Sequence, residues 1–288
     1  MIGAHWGARI AVYGRLAKPG IVLGNLVATL GGFMLASHGQ IDWSVFALTL
    51  CGSAAVVAGS GVFNNIIDRD IDAVMSRTRH RALVTGVADR RVAFMAALLL
   101  CLCGLVVLCR IGPAPALLAL FGIAVYVGLY SLWLKRQSVH GTLVGSLSGA
   151  VPPAIGYAAA GQVDFGMVLL MLLFCLWQMP HSYAIALLRA EDYAAAHIPL
   201  PPLRHGAAWA RRHITYYLMA FLLTAVLMTL SGYAGYGFLA VALLSGGYWL
   251  GLALWEYGET IAWARRQLLC SLVTVVALSL SMAIRLPS

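Results

Sequence analysis

Apolar residues run along this chain in blocks long enough to cross a bilayer, and short polar or charged segments break them at intervals. A helix that crosses hydrocarbon satisfies its own backbone hydrogen bonds and needs roughly 20 mostly apolar residues. On that measure nine spans are predicted, at roughly 20 to 37, 43 to 63, 92 to 109, 116 to 134, 141 to 160, 165 to 188, 214 to 232, 235 to 254 and 267 to 284. An odd number of crossings puts the termini on opposite sides. The fold class expected is an all-α integral membrane protein, one polytopic domain over residues 1–288, with no soluble domain, low-complexity run or long linker. LAS follows the first span as it would a secretory leader, yet the charge alternation along the chain predicts an uncleaved helix.

Lysine and arginine orient the bundle. With the N-terminus cytoplasmic and the C-terminus periplasmic, every one of the 19 basic residues except Arg110 and Arg285 falls in an inside segment, Arg9 included. Of the ten acids only Asp42 and Asp164 lie outside; Asp68, Asp70, Asp72, Asp89, Glu191, Asp192, Glu256 and Glu259 face the cytoplasm. Composition agrees with a membrane protein: 61% hydrophobic and 10% charged residues, against about 25% charged in soluble domains, and a mean hydropathy of +0.87. The net charge of +9 is scattered over short loops and forms no groove, which excludes a nucleic-acid partner. Six cysteines lie in or beside apolar segments without metal-ligand spacing and read as small core residues.

Chemistry concentrates in two inside segments. The first, NNIIDRDIDAVMSRTRHRAL (64 to 83), places Asn64, Asp68 and Asp72 at i, i+4 and i+8. If the second helix continues through them they share one stripe, drifting by about 80° over eight residues, while Asp70 points elsewhere. Carboxylates stacked a turn apart repel unless a cation lies between them, and hard oxygen ligands suit Mg²⁺, which keeps positions open for phosphate oxygen. Arg77, Arg79 and Arg81 follow within reach of such an anion. Asp70 and Arg69 are read as an ordinary solvated helix end.

The second, WQMPHSYAIALLRAEDY (177 to 193), repeats the arrangement with Gln178, His181 and the Glu191–Asp192 pair, so two acidic helix ends could close over one ligand. Pro180 is expected to kink its helix or free a carbonyl. An ionisable ring at His181, in or near the bilayer, is expected to be functional, whereas Trp177 reads more simply as an interfacial anchor. Lys18 and Asn25, Lys135 and Arg136 lie near inside helix ends, and GTLVGSLSGAVPPAIGY (141 to 157) suggests close packing or a flat slot, with Pro152–Pro153 breaking the helix.

Together these residues resemble the UbiA-type intramembrane prenyltransferases, whose first aspartate-rich motif N-x-x-x-D-x-x-x-D is matched by Asn64, Asp68 and Asp72. NNIIDRDID, MSRTRHRALVTG, YSLWLKRQSVHGTLVGSLSGAVPPAIGY, LWQMPHSYAIALLRAEDY and SGYAGY are similar, in order and across nearly the whole chain, to the haem-farnesylating members of that family. The resemblance implies nine helices around a central cavity in the inner membrane. It also implies a Mg²⁺-dependent transfer of farnesyl from farnesyl diphosphate to a vinyl group of haem b, with addition of water, giving haem o. Asn64, Asp68, Asp72 and Asp192 would serve the metal; Lys18, Arg77, Arg81, Lys135 and Arg136 the diphosphate; His181, Trp177, Gln178 and Tyr183 the haem, with His181, Asp68 and Asp72 catalytic. Haem-handling or oxidase-assembly proteins would be partners. Many relatives carry a second D-x-x-x-D motif, but here Asp192 is followed four residues later by Ala196. Two other readings stay open: a prenyltransferase of the same fold acting on a quinone precursor or another tetrapyrrole, and a secondary transporter.

Overall fold

The computed structural model describes residues 11–255 and 259–284; Arg9, Glu256 and Arg285, which enter the charge count, lie outside the described residues. The long helices are α1 (Pro19–Ser37), α2 (Trp43–Ile67), α4 (Arg90–Ile111), α5 (Pro113–Gln137), α6 (Gly141–Ala159), α7 (Phe165–Leu188), α10 (Ala207–Leu230), α11 (Tyr236–Trp255) and α12 (Thr260–Ser281). Between them lie the short helices α3 (Arg69–Val74), α8 (Ala190–Ala195) and α9 (Pro201–His205). Among the described residues eight helices are long and apolar enough to cross a membrane, and the protein is an integral membrane protein. The remaining long helix, α6, is not one of the eight. Its glycines and serines make it less apolar, and ten consecutive residues from Ala150 to Ala159 are buried by neighbouring helices, so protein rather than lipid surrounds its second half.

Helix ends follow local chemistry. Asp42 accepts hydrogen bonds from Ser44 N and Val45 N (2.9 and 3.0 Å), and Asp89 from Arg91 N and Val92 N (2.8 and 3.0 Å). Asp164 likewise caps α7 through Met167 N. Each cap satisfies amides that the first helical turn leaves open, and is worth about 1 kcal/mol. Three of the ten acids are thus accounted for by capping. Pro19 and Pro113 start α1 and α5, where proline's missing donor costs nothing.

The break expected at Pro152–Pro153 is not seen, since α6 runs unbroken through both prolines. α7 also continues through Pro180, whose missing N–H leaves the Leu176 carbonyl without its helical donor, as expected. The residues whose carbonyls lose a donor in α6 are Ser148 and Gly149, small enough to let the backbone ease past the rings, and both helices are held on several sides by neighbours.

Small residues set the spacing of the bundle. A Cβ at Gly59 of α2 would lie 2.6 Å from Cys101 Sγ and 2.8 Å from Ala97 O on α4, and one at Gly104 would meet Gly52 O at 2.7 Å. The backbones of α1 and α6 meet in the same way, Gly32 against the Pro153 carbonyl and Gly156 against that of Thr29. The outward faces carry Leu99, Val106, Leu117, Leu244 and Val273, all exposed, which suits contact with lipid chains.

Substituting Gly59 by Val is expected to destabilise the bundle by about 1–3 kcal/mol, because packed backbone and side chains must move apart. Gly247→Ala, where nothing lies within 4 Å of the added carbon, is expected to be neutral or slightly stabilising. Thermal unfolding midpoints of the two variants in detergent check the contrast.

Candidate active site at the polar end of the bundle

α2 ends at Ile67, but the i to i+4 ladder continues through the motif, since Asp68 N donates to Asn64 O and Asp72 N to Asp68 O, each at 2.8 Å. The helical period therefore carries across the boundary between α2 and α3. Asn64, Asp68 and Asp72 all point inward and are 4%, 2% and 4% exposed, while the Asp70 side chain is 65% exposed. The predicted stripe is present, with Asp70 off it.

Each member of the stripe is held by a cation from a different segment. Lys18, at the start of α1, donates from Nζ to Asn64 Oδ1 (2.5 Å). Lys135, near the end of α5, donates to Asp68 Oδ2 (2.5 Å). Arg81, in the turn-rich connection after α3, donates from Nη1 to Asp72 Oδ2 (2.5 Å) and to Asn65 Oδ1 (3.1 Å). The Asn64 amide links the set by donating to Asp68 Oδ2 (2.8 Å) and to Ser131 Oγ (3.0 Å). Burial, and then the neighbouring Arg81 guanidinium, pull the Lys18 ammonium down to about 7.

One atom is left over. Asp68 Oδ1 is buried and has no hydrogen-bond partner, although a buried carboxylate oxygen without a donor is costly. Among the described residues no three His, Cys, Asp or Glu side chains form a metal cluster. A mixed set of one amide and two carboxylates with an unsatisfied oxygen fits a hard divalent ion that completes its shell with water or phosphate oxygen.

The other predicted diphosphate contacts divide. Arg136 forms a bidentate pair with Asp70 at 2.6 Å and donates to Ile67 O (2.7 Å), so it clamps the end of α2 from outside the stripe. Arg77 is exposed and forms no ion pair among the described residues. Asp192 does not join the stripe: its Oδ1 accepts from both the amide and the hydroxyl of Ser76 (2.8 Å each). These donors hold its carboxyl below the usual carboxylate range. Ala196, where a second motif would place an acid, packs with Ile71, Met75 and Ile198 in a small apolar cluster. The connections 68–89 and 189–206 therefore join through Asp192 by hydrogen bonds and through Ala196 by packing.

On α7, Trp177 and His181 stack at 4.9 Å with their planes 24° apart, and both reach α12: Trp177 Nε1 donates to Ser271 O (2.8 Å), and His181 Nδ1 lies 2.7 Å from Ser271 Oγ. Gln178 sits over Gly149 of α6, in space that any Cβ there would fill. Tyr183 does not lie beside His181. Two residues from His181 on a helix is a rotation of about 200°, and its ring packs instead against Trp209 and Tyr217 of α10. There Tyr183 lines a separate cavity of about 200 Å³, bordered also by Met179 and His213. Sequence reasoning missed Ser131, one turn before Lys135 and therefore legible from spacing, and Ser271, which no motif marks.

Two buried carboxylates, an amide and three cations are thus gathered at one end of the helix bundle. The chain belongs to the UbiA prenyltransferase family, whose model matches residues 25–282. Relatives named protoheme IX farnesyltransferase match it over nearly the full length. The protein of Yersinia pseudotuberculosis serotype O:1b is 49% identical, covering 96% of this chain and 95% of its own, and that of Photorhabdus laumondii subsp. laumondii is also 49% identical over the same shares. Among solved structures, a digeranylgeranylglyceryl phosphate synthase superposes with a TM-score of 0.78 at 18% identity, covering 96% of this chain and 98% of that one. A UbiA homologue from Archaeoglobus fulgidus bound to GPP and Mg²⁺ superposes with a TM-score of 0.69 at 15% identity, covering 95% of this chain and all of the other.

The Arg136–Asp70 pair yields a pH prediction. The Arg136 guanidinium holds the Asp70 carboxyl down at about 2, so its stabilisation is fully present above the ordinary carboxylate range and fades as pH falls towards 2. Because the pair is exposed, its worth is below about 1 kcal/mol. Comparing thermal unfolding of the native protein and Asp70→Asn is expected to show a small deficit at pH 6 that closes between about pH 4 and 2.

Proposed function

We propose that the protein transfers the farnesyl group of farnesyl diphosphate to a vinyl carbon of haem b, with addition of water, to give haem o and diphosphate. The observation that carries the reading is the stripe itself, where three cations converge on one amide and two buried carboxylates and one carboxylate oxygen is left bare. Membership of the family and near-full-length likeness to proteins named for farnesylation of protohaem support the choice of substrates. The further readings follow the same line: nine crossings, one domain over residues 1–288, the N-terminus and the site facing the cytoplasm, and residence in the inner membrane.

Asn64, Asp68 and Asp72 would hold Mg²⁺, which when bound supplies positive charge against the departing diphosphate. Lys18, Arg81 and Lys135 then exchange part of their hold on the stripe for phosphate oxygens. Arg136 keeps the helix end in place, and Arg77 meets the anion from the exposed side. Bond cleavage at the first farnesyl carbon leaves an allylic cation, and the surrounding apolar helices keep water from quenching it. The vinyl group attacks that carbon, forming the new carbon–carbon bond. The resulting positive charge is delocalised by the porphyrin and taken up by one water, which loses a proton as the hydroxyl forms. No protein nucleophile is required. Trp177, Gln178 and His181 lie together on one flank of α7 and are assigned to the macrocycle.

Incubation of purified protein with haem b, farnesyl diphosphate and Mg²⁺ is expected to yield haem enlarged by one farnesyl and one water, read by mass analysis, and chelation of the metal is expected to stop it. Asp68→Ala and Asp72→Ala are expected to lower turnover by about 100-fold or more, whereas Asp70→Ala retains most of it. Normal turnover in the first two, or product without the metal, would defeat the assignment.

A further inference from the structure

His181 is held in a way that decides which of its ring nitrogens can act. Ser271 Oγ lies 2.6 Å from Leu268 O, an acceptor that has no proton to give, so the Ser271 hydroxyl must donate there. With its only hydrogen committed, Oγ offers lone pairs to His181 Nδ1 at 2.7 Å, and the proton in that contact belongs to the imidazole. Nδ1 is therefore the protonated nitrogen and Nε2 carries the free lone pair, making no hydrogen bond among the described residues. The backbone carbonyl of the same serine receives Trp177 Nε1–H, and the stacked indole fixes the plane of the imidazole. Ser271 is fully buried, so water does not compete for these contacts.

A histidine whose Nδ1–H is taken by an oxygen while Nε2 makes no hydrogen bond has the arrangement found in metal-ligating imidazoles, where the second hydrogen bond sets the tautomer and strengthens the donor nitrogen. A general base would need the same open nitrogen, but this ring is locked on both faces of motion, by the indole and by the serine. That suits holding a fixed direction more than following a moving proton. We infer that Ser271 is a positioning residue that presents His181 Nε2 as a ligand to the iron of the tetrapyrrole acceptor, with Trp177 setting the ring plane. The inference rests on the haem reading of the site, but it concerns binding and is testable without turnover.

The test titrates ferric and ferrous haem b into the purified full-length protein and reads the absorption and electron paramagnetic resonance spectra for imidazole ligation. His181→Ala is expected to abolish the ligation signature, with added free imidazole restoring it. Ser271→Ala is expected to weaken haem binding roughly 10- to 100-fold, the usual cost of losing a ligand's outer partner, while Ser271→Thr, which keeps the hydroxyl, restores most of it. Binding of farnesyl diphosphate with Mg²⁺, measured separately, shows that each variant is folded. If it is lost in Ser271→Ala, the comparison between Ser271→Thr and Ser271→Val decides, since these differ only in the hydroxyl. An unchanged haem spectrum and affinity in His181→Ala, or equal affinities in the threonine and valine variants, would overturn the inference. Mass analysis of the same samples separates it from the functional reading: farnesylated haem with no His181 ligation removes the inference alone, and Ser271-dependent ligation without any transfer removes the reaction alone.

Discussion

Two carboxylates buried where α2 leaves the apolar bundle govern the rest of the structure. A lone buried charge costs several kcal/mol, and removing one partner of a buried pair is about as damaging. Asp68 and Asp72 therefore demand cations, and those cations arrive from places far apart in sequence: Lys135 from α5 and Arg81 from the connection after α3, with Lys18 joining through Asn64. The start of α1, the end of α5 and the 75–89 connection are thus gathered at one point by charge. Helix packing alone would have brought them near without fixing them. The cost of assembling the site shows in Asp68 Oδ1, which stays unsatisfied.

Much of this was legible in the residues, for reasons that can be named. A spacing of four is close to the helical period, so Asn64, Asp68 and Asp72 declared a shared face and Asp70 declared itself outside it. Hydropathy marked the long helices because hydrocarbon admits little else, although α6 shows that a helix shielded by its neighbours need not meet the same standard. Which arginine of Arg77, Arg79 and Arg81 would turn inward was not readable, because the 75–89 connection is a series of turns with no period. Tyr183 was grouped with His181 because it is near in sequence, and on a helix that proximity is opposition. Ser271 lies 90 residues from its partner, and a serine in an apolar helix carries no local sign of what it will touch.

Packing and chemistry meet on α7. Gln178 is seated in the gap left by Gly149 of α6, and Trp177 and His181 beside it are tied to Ser271 of α12. α6 in turn reaches α1 backbone to backbone at Gly32 and Gly156. The glycines that let these helices approach so closely therefore also determine how rigidly the aromatic flank of α7 is held. A helix that tolerates two internal prolines serves here because its neighbours, more than its own hydrogen bonds, keep it continuous.

Asp192 has no second acid four residues on, where Ala196 stands instead. With Ala196 packed among Ile71, Met75 and Ile198, and Asp192 latched to Ser76 by both amide and hydroxyl, this residue works as a rivet between the two halves of the chain. Connections fastened in that way are coupled: a displacement of 189–206 is passed to 68–89 through Ser76, and loosening one loosens the other.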